Sequence, residues 1–265
     1  MTPHLWLGHP LTCALLISTL SLFGGCDAEE FSIQLMGVKA IDPTSCTPIG
    51  DESSLLSQGT IDLVLAQDYV INLSMRNRLS NSLEVNMLNE DEGHLNTTDV
   101  TLKSAVIRYL DPDEVGFGLG EDERVVAFGG LLPSGNLDPI TRTLSILTPE
   151  MTNNLRQNGA FKGLNSAARI GVVRNSLSMI ISVRVQGETL DGKRVESNEV
   201  TFPIEICTGC RISTRGRSDE CMLATGEQDL LTLCPSTIGR DQVFASCGLC
   251  QQTAVDETFV GLCTP

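Results

Sequence analysis

Aromatic rings are scarce in this chain of 265 residues, with one tryptophan, two tyrosines and eight phenylalanines. The tryptophan, Trp6, lies near the amino terminus, and the tyrosines are Tyr69 and Tyr109. Sugars and unpaired bases are held by exposed aromatic platforms, so recognition through stacked rings is argued against. Histidine is scarcer: only His94 follows the first 25 residues. Histidine-rich metal sites and H-E-x-x-H hydrolases are thereby excluded. A Ser-His-Asp triad would need His94, yet the chain has no G-x-S-x-G elbow. Basic residues number 18 against 33 acidic ones, a net charge of −15. Phosphate backbones and anionic lipid surfaces both require clustered Lys and Arg. Nucleic acid is therefore not an expected partner, and the acidic balance reads as a self-repelling, solvated surface.

Long apolar runs are also missing. The longest extends from Leu11 to Phe23, short of the roughly 20 residues that cross a bilayer but suited to the h-region of a signal peptide. It ends in Leu22-Phe23-Gly24-Gly25-Cys26. These five residues resemble the lipobox of a bacterial lipoprotein, in which the chain is cut before a cysteine that becomes lipidated. Two departures stand out: Phe23 occupies a place that lipoboxes give to Leu, and no Lys or Arg precedes the apolar core. The alternatives are an ordinary secretory signal or a buried apolar segment. The correctly placed Cys26 favours lipidation, and a diacylglyceryl group supplies the two chains that stable anchoring needs. The tether from Asp27 to Glu30 reaches at most about 14 Å, which would hold a folded body close to the headgroups.

An apolar share of 41% is that of a globular protein. From Phe31 to Ile206 the texture is β. Tyr69–Met75 alternates Ile71, Leu73 and Met75 with Asn72 and Ser74, the period of a half-buried strand. Val100–Leu110, Arg124–Phe128 and Ile140–Leu147 are further strand candidates. Thr148-Pro149-Glu150 offers an N-cap, a proline at the first helical position and an acid in the first turn. It predicts a short helix ending near Asn158-Gly159. Ser178–Val185 predicts one arm of a hairpin. Asp191-Gly192 would supply positive φ angles at the turn, with a return strand through Val200, Phe202, Ile204 and Ile206. Pro203 within that return marks an edge or a bulge. Short strands, turn residues and a single helix predict a mainly β fold, an antiparallel immunoglobulin-like β-sandwich.

From Cys207 the composition changes. Seven of the ten cysteines fall in the last 59 residues, namely Cys207, Cys210, Cys221, Cys234, Cys247, Cys250 and Cys263. A segment this short needs covalent staples. With Cys13 removed in the signal and Cys26 lipidated, eight remain, and full pairing then obliges Cys46 to bond to a tail cysteine. Cys207 or Cys210 is the expected partner, because the first and last strands of such sandwiches lie close. Cys207-Thr-Gly-Cys210 and Cys247-Gly-Leu-Cys250 also match the spacing of a zinc ribbon. Outside the cytoplasm, with four more cysteines nearby, disulfides are favoured over metal. A redox-active CxxC ranks below zinc, since neither pair shows a helix start or an obvious cationic neighbour. Acidic stretches at Glu90–Glu92, Asp111–Glu114 and Glu121–Glu123 fit no EF-hand register and read as solvated charge.

In its C-terminal half the chain resembles a group of uncharacterised myxobacterial-type surface lipoproteins. The resemblance rests on Gly187–Gly192, on Glu196–Pro203 running into Cys207-Thr-Gly-Cys210, and on Gly239-Arg240-Asp241 ahead of Cys247-Gly-Leu-Cys250. It covers about a third of the chain and implies a surface location and a β body with a Cys-rich tail, but no activity. The sequence therefore predicts a signal peptide over 1–25, a lipidated Cys26 with tether over 26–30, a β-sandwich body over 31–206 and a disulfide-stapled module over 207–265. The expected role is a binding or structural component of the envelope, anchored to the membrane by lipid, with other envelope proteins as partners. No catalytic residue, metal or cofactor is assigned. The alternatives are an envelope hydrolase using acidic residues and a zinc module built on the two CxxC pairs.

Overall fold

The computed structural model describes residues 31–42, 44–50, 54–79, 97–111, 117, 119, 122–135, 138–158, 176–212, 234, 238, 240 and 241. All fall in one compact unit that begins at Phe31. The fold is mainly β, with two sheets and one short helix. The first sheet has the order β2-β1-β4-β7, built from Ile33–Lys39 (β1), Leu55–Leu56 (β2), Tyr69–Asn77 (β4) and Ile140–Leu147 (β7). The second has the order β3-β10-β8-β5-β6, built from Gly59–Asp62 (β3), Val100–Leu110 (β5), Glu123–Leu132 (β6), Leu177–Thr189 (β8) and Val200–Cys207 (β10). A short strand, Arg194–Glu196 (β9), adds to β8. One of the sheets is curled like half of a barrel.

Alternation explains which faces meet. Ile71, Leu73 and Met75 of β4 and Leu144 and Ile146 of β7 join one buried cluster with Ile107 of β5, Met179, Ile181 and Val183 of β8, and Phe202, Ile204 and Ile206 of β10. Both sheets thus share a single apolar core, the main source of stabilisation for a fold of this kind. Tyr109 bridges the sheets by donating its hydroxyl to the Ile146 carbonyl at 2.7 Å. The buried phenol is thereby satisfied, and burial pushes its pKa up to about 12.

The helix forms where its capping residues stand. It spans Pro149–Gln157 (α1), and the Thr148 hydroxyl accepts the Met151 amide at 3.3 Å. At its far end Arg156 reaches back to the carbonyls of Leu63 and Ala66, at 2.8 and 2.6 Å. The helix is thereby clamped to the loop after β3.

The predicted hairpin forms, with Val200, Phe202, Ile204 and Ile206 of β10 paired to β8, but its details differ from expectation. At the turn only Gly192 has a positive φ, +86°. The Gly192 amide bonds the Thr189 carbonyl, and the Thr189 amide bonds the Lys193 carbonyl, so this is a longer turn closed by one glycine. The return strand is also broken into β9 and β10 at Ser197–Glu199. There the Ser197 hydroxyl takes the Val185 amide at 2.8 Å. The Asn198 side chain turns away to β1, accepting from the Leu35 amide at 2.7 Å and donating to its carbonyl at 3.1 Å. Asn198 stands in for a peptide beside the β1 bulge between Leu35 and Gly37. Pro203 is likewise not on an edge strand, because β10 lies between β8 and β3. It is tolerated because the parallel pairing with β3 starts one residue later, at Ile204 opposite Gly59.

Candidate functional site

β3 ends its sheet, yet all four of its residues are buried. An open strand edge invites pairing with other chains, and here the tail covers it. Arg240 bridges to Ile61, the Asp241 amide donates to the Thr60 carbonyl at 2.8 Å, and the Asp241 carboxylate takes the Thr60 amide at 3.2 Å. Asp241 adopts a left-handed φ of +47°, a conformation that aspartate enters more readily than most residues. Tyr69, at the start of β4, donates its hydroxyl to the same carboxylate at 2.5 Å. Gly59 makes the approach possible, since a Cβ there would run into the Tyr69 hydroxyl and lie 2.8 Å from the Phe202 ring. Arg240, itself buried, pairs with Asp68, and Cys46 is bonded to Cys234.

A second carboxylate, Asp62, closes β3. It is fully buried and accepts three backbone amides: Val64 at 3.0 Å, Gly209 at 2.8 Å and Arg211 at 2.8 Å. The last two belong to the turn that follows β10, where Gly209 takes a φ of +74°. That turn carries Cys207 and Cys210, which are bonded to each other. Asp62 therefore shapes the CxxC turn from a position about 147 residues away in sequence. Arg211 continues past it to the Thr60 hydroxyl at 2.6 Å. A cleft of about 330 Å³ opens beside this corner, lined by Leu55, Leu56, Ser57, Gln58, Thr60, Arg211 and Asp241.

Burial governs the electrostatics. It pushes the carboxyls of Asp62 and Asp241 above the usual range, outweighing the hydrogen bonds and neighbouring arginines that pull them down. The Tyr69 phenol is held well above its ordinary value, by burial first and then by the Asp241 charge. A carboxyl with a raised folded-state pKa binds more protons folded than unfolded, so its contribution to stability falls as pH rises through the window above 3.8. The melting temperature should therefore increase on going from neutral to mildly acid pH, and Asp241→Asn should flatten that slope. An unchanged slope in the variant would remove Asp241 as a source of the effect and leave Asp62.

The predicted cysteines divide as follows. Cys46 is bonded to a tail cysteine, but to Cys234 and not to Cys207 or Cys210. The expectation from strand proximity fails because Cys207 and Cys210 pair with each other in the turn after β10. Cys207 and Cys210 are joined to each other, so in this state the first CxxC does not offer two thiolates to a metal. Cys26, Cys221, Cys247, Cys250, Cys263, His94 and the Glu90–Glu92 stretch lie outside the described residues. Of the other acids, Glu123 forms an exposed ion pair with Arg108 at 2.6 Å, an arrangement worth little in energy. Asp62 escaped the sequence reading, although a single acid inside Ile61-Asp62-Leu63-Val64-Leu65 is a legible sign of a buried carboxylate. Arg240 and Asp241 had no such sign.

The site and fold define a mainly β protein of two sheets whose Cys-rich tail seals an edge strand. No known protein-family model and no curated protein sequence matches the chain.

Proposed function

We propose that the chain is a membrane-anchored lipoprotein of the cell envelope, held by lipid on Cys26, whose β body is a binding or structural component that engages other envelope proteins. One observation carries the role. The carboxylates Asp62 and Asp241 at the β3 corner are bonded to backbone and to Tyr69, and among the described residues the cleft beside them is lined by one carboxylate, Asp241. Acid-based hydrolysis of a glycoside uses two carboxyl groups on one substrate, which this cleft does not gather. A rigid β scaffold with its recognition surface on loops is the arrangement that such a corner serves.

What supports an immunoglobulin-like sandwich is the order of the strands. β1, β4 and β7 stand to one another as the A, B and E strands of that fold, and β5, β8 and β10 as C, F and G. The body starts at once after the tether, with β1 beginning at Ile33. The kinship with myxobacterial-type surface lipoproteins belongs to the same proposal. Mass spectrometry of the protein from the membrane fraction tests it. A chain beginning at a lipidated Cys26, and released into the soluble fraction by Cys26→Ser, is the expected result. An unmodified Met1 amino terminus in the cytosol would overturn the reading.

A further inference from the structure

The turn after β10 brings together two sulfurs and one carboxyl group that the proposed binding role does not use. The Asp62 carboxylate and the sulfurs of Cys207 and Cys210 all lie within 4.8 Å of one another. All three groups are buried; of the two cysteine residues Cys207 is 1% exposed and Cys210 is the less buried. The Cys207 sulfur also lies 3.5 Å from the Ile61 carbonyl oxygen, which can accept a thiol proton but has nothing to accept from a disulfide. We propose that Cys207–Cys210 is an exchangeable disulfide that accepts two electrons from a dithiol, with Asp62 as the proton donor to the released Cys207 sulfur.

The steps balance. A thiolate of the reductant attacks the Cys210 sulfur, forming a new S–S bond to it and breaking the Cys207–Cys210 bond, whose electron pair leaves on Cys207. The Asp62 carboxylic acid gives its proton to the Cys207 thiolate and is reprotonated from solvent, and the new thiol donates to the Ile61 carbonyl. The second thiol of the reductant loses its proton to solvent and attacks its own sulfur in the mixed disulfide. This releases Cys210, which takes a proton from solvent. The dithiol is oxidised to a disulfide and the CxxC pair is reduced to two thiols. Attack is directed at Cys210 because it is the less buried residue of the pair. The Asp62 carboxyl lies within 4.8 Å of both sulfurs, and burial makes it easier to protonate than an exposed carboxyl, so a proton donor can stand where the thiolate appears. The amide bonds from Gly209 and Arg211 to Asp62 hold the turn in place while the sulfurs separate.

The test uses the full mature chain in dithiothreitol buffers of graded potential, quenched by alkylation and mapped by mass spectrometry. Cys207 and Cys210 should be alkylated under conditions that leave Cys46 bonded to Cys234. Asp62→Asn should slow their reduction about tenfold or more and abolish its acid dependence, with circular dichroism reporting the fold. In the unaltered chain the rate constant, corrected for the thiolate fraction of dithiothreitol, should rise toward mildly acid pH. This second reading stands even where the variant does not fold. A reduced CxxC protein that outpaces dithiothreitol at equal thiolate concentration would assign the site to protein dithiols, and the reverse order to small ones. Reduction of both disulfides together, only on unfolding, or a flat corrected pH profile, would overturn the inference.

Discussion

Replacing both Cys46 and Cys234 by serine is expected to lower the stability of the folded body by about 5 kcal/mol in the chain-entropy treatment of a cross-link this long. The two residues are separated by 188 positions, so the bond withdraws an unusually large loop from the unfolded ensemble. Its loss has a second consequence, because the same tail supplies Arg240 and Asp241 to the edge of β3. The released edge presents unpaired amides and carbonyls, and aggregation should accompany the loss of stability. Urea unfolding measures the first effect, and hydrogen exchange at the Thr60 amide, which bonds Asp241, measures the second. A midpoint shift equivalent to less than about 1 kcal/mol, with Thr60 still protected, would show that the tail is held without the cross-link.

Asp62→Ala should cost about 3–5 kcal/mol, because a buried donor left without its acceptor loses about 1–3 kcal/mol and three amides depend on this carboxylate. The total stays below the plain sum because removing the group also relieves the cost of burying it. Asp62→Asn keeps one acceptor oxygen for the Val64 and Gly209 amides but sets an NH2 against the Arg211 amide, so it should cost less than Asp62→Ala without being neutral. Thermal and urea denaturation of the two variants provide the comparison. Equal losses would mean that the three bonds contribute nothing separable from packing. Loosening of the 207–211 turn should also free Arg211 from Thr60, which hydrogen exchange across β3 would register.

The legibility of these features follows the range of the interactions that make them. The helix Pro149–Gln157 begins where Thr148-Pro149-Glu150 indicates, since its cap is made within three residues. Val100–Leu110 and Ile140–Leu147 have the bounds that their composition predicts. β1 was hidden because the bulge between Leu35 and Gly37 shifts the phase of alternation, so that Ile33, Leu35 and Val38 all turn inward. The break in the return strand was hidden because Asn198 satisfies a backbone 163 residues away. Asn72 and Ser74 read as a solvated face, yet both are buried; Asn72 accepts the hydroxyl of its β7 neighbour Thr143 at 2.9 Å, a contact between residues 71 positions apart in the chain.

The sequence by itself determined the β character and the position of the helix, and it pointed to a tail partner for Cys46. These follow from local periodicity, capping chemistry and the count of thiols. Only the tertiary structure decided that the partner is Cys234, that Asp62 organises the CxxC turn, and that the tail closes the edge of β3 through Asp241 and Tyr69. Each of those depends on which distant segments share an edge, a choice made by the summed packing of the core and carried by no short stretch of residues.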